Sequence, residues 1–254
     1  MTTHRLLLTL LLLAGRMAPA QSVAEHIALG DSAHAAFKPA EALIHYAAAI
    51  AADSQSTEAR WKASRSAVDV GEAEPDAARK KELFRQGESH ARRAVALSPG
   101  DAEAHFSLAR ALGRTALSVG VRDRVKYAVE VRDEALAALK IDPNHPGALH
   151  VLGMWNAEVM RLSGFERFFA RTFLGGKVFG LANWKDAVSN LERAVEVDPE
   201  RLVHRVDLAE IYADIGEKAK AREQFEKVVG ATTQTDANDP RYKQLAEAGL
   251  KRLK

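Results

Sequence analysis

The feature that most constrains this chain is a phrase it uses three times. ARRAVALSPGD (residues 91–101), DEALAALKIDPNH (133–145) and LERAVEVDPER (191–201) each set small or apolar residues at helical spacing ahead of a proline. Proline ends a helix because it lacks the amide and its ring collides with the preceding turn. A leucine stands nine residues after each of these prolines, pairing Pro99 with Leu108, Pro143 with Leu152 and Pro199 with Leu208. A constant distance from the end of one helix to the packing residue of the next is what stacked helical hairpins require, since each unit buries its apolar face on a neighbour of the same geometry. The aromatic content of 6% agrees with this, because a sheet sandwich draws on more aromatic and β-branched residues. With no cysteine present, the chain has no disulfide, thiolate metal site or cysteine nucleophile.

The phrase resembles the tetratricopeptide (TPR) repeat, in which a first helix carries W-x2-L-G-x2-Y and a second carries A-x3-F-x2-A before a proline. A further unit matches at Leu208, Ala209, Tyr212, Gly216, Ala221 and Phe225, and a first one at Leu29, Gly30, Ala33, Ala42, Tyr46 and Ala49. The second is opened by Trp61 and closed by Gly87, Ala91, Ala94 and Pro99. The resemblance implies an all-α solenoid of about five hairpins, over residues 22–55, 57–100, 101–144, 145–200 and 201–229. Measured from the leucine position to the closing proline, units two, three and four exceed the family's regular spacing by ten, ten and twenty-two residues. Ten residues make nearly three helical turns shared between two helices, so longer hairpins are expected. Residues 121–140 read as one such lengthened helix, with Val121, Val125, Ala128, Val131, Ala135 and Leu139 on one face. Residues 230–254 read as a polar linker and an amphipathic helix, with Asp239 as N-cap and Pro240 in the first turn. That helix is expected to cap the last apolar face of the array.

A narrower likeness lies between Gly120 and Tyr212. The LGMW phrase at 152–155, the LS-x2-ER phrase of Leu162, Ser163, Glu166 and Arg167, and the insertion before the next helix resemble the regulator of microtubule dynamics family. Those proteins are TPR-like, and some animal members are implicated in microtubule association, organelle contacts and lipid binding.

The first twenty residues read as a processing signal rather than as fold. Arg5 precedes the apolar run LLLTLLLLAG, and Ala18–Pro19–Ala20 sets small residues before a cleavage point. Ten apolar residues fall short of the roughly 20 that span a bilayer. The expectation is therefore an exported protein, periplasmic in a Gram-negative cell, with no stable transmembrane segment after cleavage. Such a protein would meet no microtubules, so the family likeness carries over only its fold and a lipid pocket. The net charge of +2 comes from 36 basic and 34 acidic residues. Arg5 and Arg16 account for the excess, so any basic surface beyond residue 20 must be a local patch, sought at Arg110 and Arg114 and at Arg167 and Arg171. This balance gives no support for nucleic acid as a partner.

The TPR resemblance also implies a concave groove lined by the first helix of each hairpin. Its lining falls on Asp31 and His34, Lys62 and Asp69, Phe106, Arg110 and Arg114, His150, Met154 and Glu158, then Val206, Glu210 and Asp214. Arg110 and Arg114 are one turn apart and can share a carboxylate or phosphate of a ligand, or each can pair with an acid on the next helix. The insertion SGFERFFARTFLGGKVFG holds Phe165, Phe168, Phe169, Phe173 and Phe179, the first four on one helical stripe that Gly175 and Gly176 would end. Burial of each large apolar side chain is worth roughly 1.5–3 kcal/mol, so these rings complete the core, cover a lipid-sized cavity or meet a membrane. The histidines lack the three- or four-residue spacing of paired ligands, and neither G-x-S-x-G nor H-E-x-x-H occurs. Expected, then, is a non-enzymatic scaffold without cofactor or metal that captures a protein or peptide in the groove. A lipid or hydrophobic-ligand carrier built on residues 164–180 is the alternative.

Overall fold

Helix starts are set by side chains that accept otherwise unpaired amides. Ser22 and Glu25 form a reciprocal capping box, the Glu25 amide donating to Ser22 Oγ at 3.2 Å and the Ser22 amide to Glu25 Oε2 at 2.6 Å. Ser56, Asp76, His145 and Asn183 accept in the same way at four later starts. The computed structural model describes residues 22–116, 119–173 and 177–253, apart from the side chains of residues 121, 122, 165, 169, 171 and 173. The stretch read as a signal peptide lies outside these residues.

The described elements are helical, with no strand among them. α1 (Val23–Ala35) pairs with α2 (Pro39–Ala52), α3 (Thr57–Ala73) with α4 (Ala77–Leu97), and α5 (Ala102–Ala116) with α6 (Val121–Ile141). α7 (Pro146–Arg161) is followed by α8 (Gly164–Phe173) and a 3-10 turn (Lys177–Leu181) before its hairpin partner α9 (Trp184–Val197). α10 (Leu202–Asp214) pairs with α11 (Lys218–Gly230), and α12 (Asp239–Arg252) packs on both. The result is a helical-hairpin solenoid with a C-terminal cap.

Extra length is absorbed in two ways. α4 and α6 each run to 21 residues, against 14 in α2 and 13 in α11. The larger surplus in the fourth hairpin becomes the separate α8 and 3-10 turn.

Small side chains let the helices approach closely. Ala42, Ala49, Ala63, Ala67, Ala91, Ala94, Ala187 and Ala194 are fully buried. At four contacts an aromatic ring lies where a glycine leaves room: Tyr46 on Gly30, Phe84 on Gly71, Phe106 on Gly147 and Phe225 on Gly249. A Cβ at Gly30 or Gly249 would come within 2.4 Å of the ring. The first and last hairpins share one turn, in which the Lys38 amide donates to the Ala33 carbonyl at 2.9 Å and the Glu217 amide to the Tyr212 carbonyl at 2.8 Å. It needs a left-handed residue, supplied by Gly216 (φ 84°) in one and by Phe37 (φ 60°) in the other.

The start of α12 differs from expectation. Its N-cap is Asn238, without a side-chain cap bond, because the Asp239 carboxylate folds back onto the amides of Thr235 (2.7 Å) and Asp236 (3.0 Å). Asp236 in turn pairs with Arg201 at 2.6 Å. The linker is thereby pinned to the start of the last hairpin.

Candidate functional site

The first helices of successive hairpins touch one another, α3 with α5, α5 with α7 and α7 with α10; on the TPR pattern these helices line the inner face, and a charged cluster lies on α3 and α5. Arg110 donates to Asp69 at 2.7 Å and to Glu72 at 3.1 Å, while Arg114 reaches Glu72 at 2.7 Å. Of the two arrangements open to Arg110 and Arg114, the structure shows pairing with acids of the neighbouring helix. Burial alone would raise the Glu72 carboxyl, but the two guanidinium groups outweigh it and hold it at about 2. Arg110 is held above its ordinary value by Asp69 and Glu72 despite its burial.

A third partner of Glu72 comes from the far end of the chain. The Tyr242 hydroxyl on α12 donates to Glu72 Oε2 at 3.1 Å, and both residues are buried. Burial and the nearby Glu72 carboxylate push the Tyr242 hydroxyl well above its usual value, so it stays a donor. Neither Glu72 nor Tyr242 belongs to the groove positions implied by the TPR pattern. Glu72 lies past them on an added turn, and Tyr242 lies outside the repeats.

The remaining groove candidates are dispersed over α1, α3, α5, α7 and α10. Lys62 is buried between Asp31 (2.7 Å) and Glu58 (2.6 Å), and Asp31 also accepts from Tyr46 at 2.8 Å. His34 is half-buried, and burial lowers its pKa, with Arg65 adding to the effect. Phe106 serves packing between hairpins, its ring 4.7 Å from that of His145. His150 meets His204 Nδ1 to Nδ1 at 2.9 Å and Asp207 at 3.1 Å. Burial, then the neighbouring His150, lowers His204 well below its usual value. Met154 packs against the last core cluster, in which Val206 is buried. Glu158 is exposed and pairs with Arg161 at 2.5 Å, Arg161 also holding Asp214 at 2.6 Å. Glu210 pairs with Arg252 of α12 at 2.5 Å.

The insertion divides between core and surface. Phe179 is buried against Trp155, ring centroids 6.1 Å apart, and the Trp155 indole donates to the Ala128 carbonyl at 2.7 Å. Phe168 is 55% exposed, whereas the side chains of Phe165, Phe169, Phe173 and Arg171 lie outside the described residues. Arg167 turns inward to Met160 Sδ at 2.9 Å. Among the described residues no group of three or more His, Asp or Glu could hold a metal ion, and no helix is long and apolar enough to cross a membrane.

Comparison with known proteins places this architecture. A thermophilic TPR protein of Thermus thermophilus superposes with a TM-score of 0.64 over 90% of this chain and 99% of its own, at 17% identity. The Pseudomonas aeruginosa pilF protein gives 0.51 over 91% of each chain, at 13% identity. In sequence, regulator of microtubule dynamics protein 3 of Bos taurus is 27% identical over 164 residues, covering 64% of this chain and 34% of that protein. Protein 1 of the same organism is 21% identical over 148 residues, 58% of this chain and 46% of that one. The chain thus spans about a third of the length of the protein 3 relatives it matches. These relatives overturn the expectation of an exported, periplasmic protein, since they come from animals and are named for microtubule dynamics, and a periplasm is a bacterial compartment. The model of the regulator of microtubule dynamics protein 1–3 family matches residues 24–254, and the chain belongs to that family.

Proposed function

We propose that this chain is a non-catalytic scaffold that binds a protein partner along the inner face of its hairpin array. The observation that carries the reading is the reach of α12: from its seat on the last hairpin its tyrosine donates to a buried carboxylate on α3, so polar groups of that face already recognise a side chain from a helix outside the hairpins. The titratable groups at its centre are held in ion pairs, which suits recognition better than proton transfer. The name of the curated relatives points to microtubules, and the reason for setting microtubules aside was export, which no longer stands. Polymerised tubulin is therefore the first partner to test.

A photo-crosslinking residue at Met154 or Glu158 on the inner face, with Ile44 on the exposed side of α2 as control, reads the result directly. Crosslinks to tubulin from the inner positions and not from position 44 are expected. Equal labelling from all three, or none, would sink the proposal.

A further inference from the structure

α12 stacks on α10 and α11 through one stripe and reaches acids of the inner face near its two ends. At its start the Tyr242 hydroxyl donates to Glu72, with Arg241 3.9 Å from the same carboxylate. At its end Arg252 pairs with Glu210. Between them Tyr242, Ala246 and Gly249, at positions i, i+4 and i+7, form the buried side of the helix against α10 and α11. Apart from the buried Asp239, α12 carries Arg241, Lys243, Lys251 and Arg252 against Glu247 alone. Two of the four, Arg241 and Arg252, face the acids Glu72 and Glu210 of the inner face.

What α12 leaves behind decides whether it can be exchanged. Without Tyr242, Glu72 still has Arg110 at 3.1 Å and Arg114 at 2.7 Å, so no buried charge is stranded, and what departure of the helix uncovers is the apolar surface around Phe225 and Val228, which an exchanging partner must cover in its place. The pinned linker, through Asp236 to Arg201 and Asp239 to Thr235, keeps the helix beside its seat after release, so it competes at a local concentration in the millimolar range.

We infer that α12 is a resident ligand of a seat where the last hairpin meets the inner face, and that the partner this seat accepts is a basic helix presenting a tyrosine to Glu72, with small residues four and seven positions further on packed against α10 and α11. The partner enters by displacing α12. This rests on the scaffold reading and adds the class of partner and its built-in competitor.

The test uses the full chain and a fluorescein-labelled peptide of residues 237–254, followed by fluorescence anisotropy, with hydrogen exchange reporting the state of α12. Ala246→Glu places a carboxylate in the apolar stripe and releases the helix. The released chain is expected to bind the peptide about 30-fold more tightly than the wild type. Adding Glu72→Gln is expected to weaken that binding about tenfold, the scale of a hydrogen bond to a charged group. A scrambled peptide of equal charge should not bind. Three results overturn the inference: peptide binding equally tight to wild type and variant; release of α12 with α1–α11 still protected and no peptide binding; or loss of protection in α1–α11 together with α12, which would make the helix part of the fold rather than an exchangeable ligand. Because no tubulin is present, this experiment can fail while the crosslinking result stands, and the converse outcome would leave the face as an internal device only.

Discussion

The end hairpins and the middle hairpins meet the same stacking requirement with different lengths of chain. α1 and α10 have 13 residues each and close through the same turn, whereas α3 has 17. Glu72 is the sixteenth residue of α3, a position that a 13-residue helix does not possess. In the first hairpin the buried residues of both helices, Gly30, Ala33, Ala42, Tyr46 and Ala49, all fall at positions of the pattern. In the lengthened ones the added turn projects a carboxylate into reach of α5 and α12. An insertion in a repeat is thus a means of placing polar chemistry on the inner face without disturbing the apolar contacts beneath it.

Four tests would break or sharpen that contrast. The largest effect is expected from paired truncations, Trp155→Ala beside the insertion and Phe225→Ala in the last hairpin. Each should lower stability to urea by about 3–5 kcal/mol. Only the first should also increase hydrogen exchange across residues 177–182, because Phe179 packs on Trp155. Should both loosen that segment equally, the insertion is not a separate unit of the middle.

Next comes Glu72→Ala, which leaves two guanidinium groups short of a buried partner and should cost about 3–5 kcal/mol. Glu25→Ala at the exposed capping box of α1 should cost only about 1 kcal/mol. Comparable losses in thermal unfolding would contradict the special weight given to the added turn.

The same carboxylate governs acid stability. Glu72 is held at about 2 in the fold against an ordinary 4.5, so its contribution is complete above pH 4.5 and is lost as pH falls from there toward 2. At about 1.4 kcal/mol per unit, this is on the order of 3 kcal/mol. Glu72→Gln should flatten this part of the stability curve, and an unchanged acid limb would count against the ion-paired assignment.

The smallest effect separates the two matching turns. Gly216→Ala forces a side chain into a left-handed residue and should cost about 1 kcal/mol. Phe37→Gly should shift the unfolding midpoint less, since relief of backbone strain is offset by loss of a half-buried ring.

The ladder is readable from sequence because its information is local. Ala42, Tyr46 and Ala49 sit at helical spacing within one helix, and all three are fully buried. The same pattern also marks Leu29, which is 38% exposed, since among the described residues no hairpin lies before α1 to cover it. The polar centre is legible only in part. Arg110 and Arg114 stand out as neighbours one turn apart, but Asp69 lies 41 residues from Arg110 and Tyr242 lies 170 from Glu72. No local spacing records which acids on other units meet these guanidinium groups. The export reading failed for a related reason: a short apolar run reports hydrophobicity, and the compartment depends on cellular context.

The four ring-on-glycine contacts have a consequence for how such chains diverge. A methyl group added at Gly249 alone collides with the Phe225 ring, and a smaller residue at 225 alone leaves a void beside the glycine. Each partner is therefore constrained by the other, and related chains should change the two positions together, with a glycine gaining bulk where its ring is lost. Such paired exchanges across Gly30 and Tyr46, or Gly147 and Phe106, would mark in sequence alone which helices touch, even where the repeat phrase itself has faded.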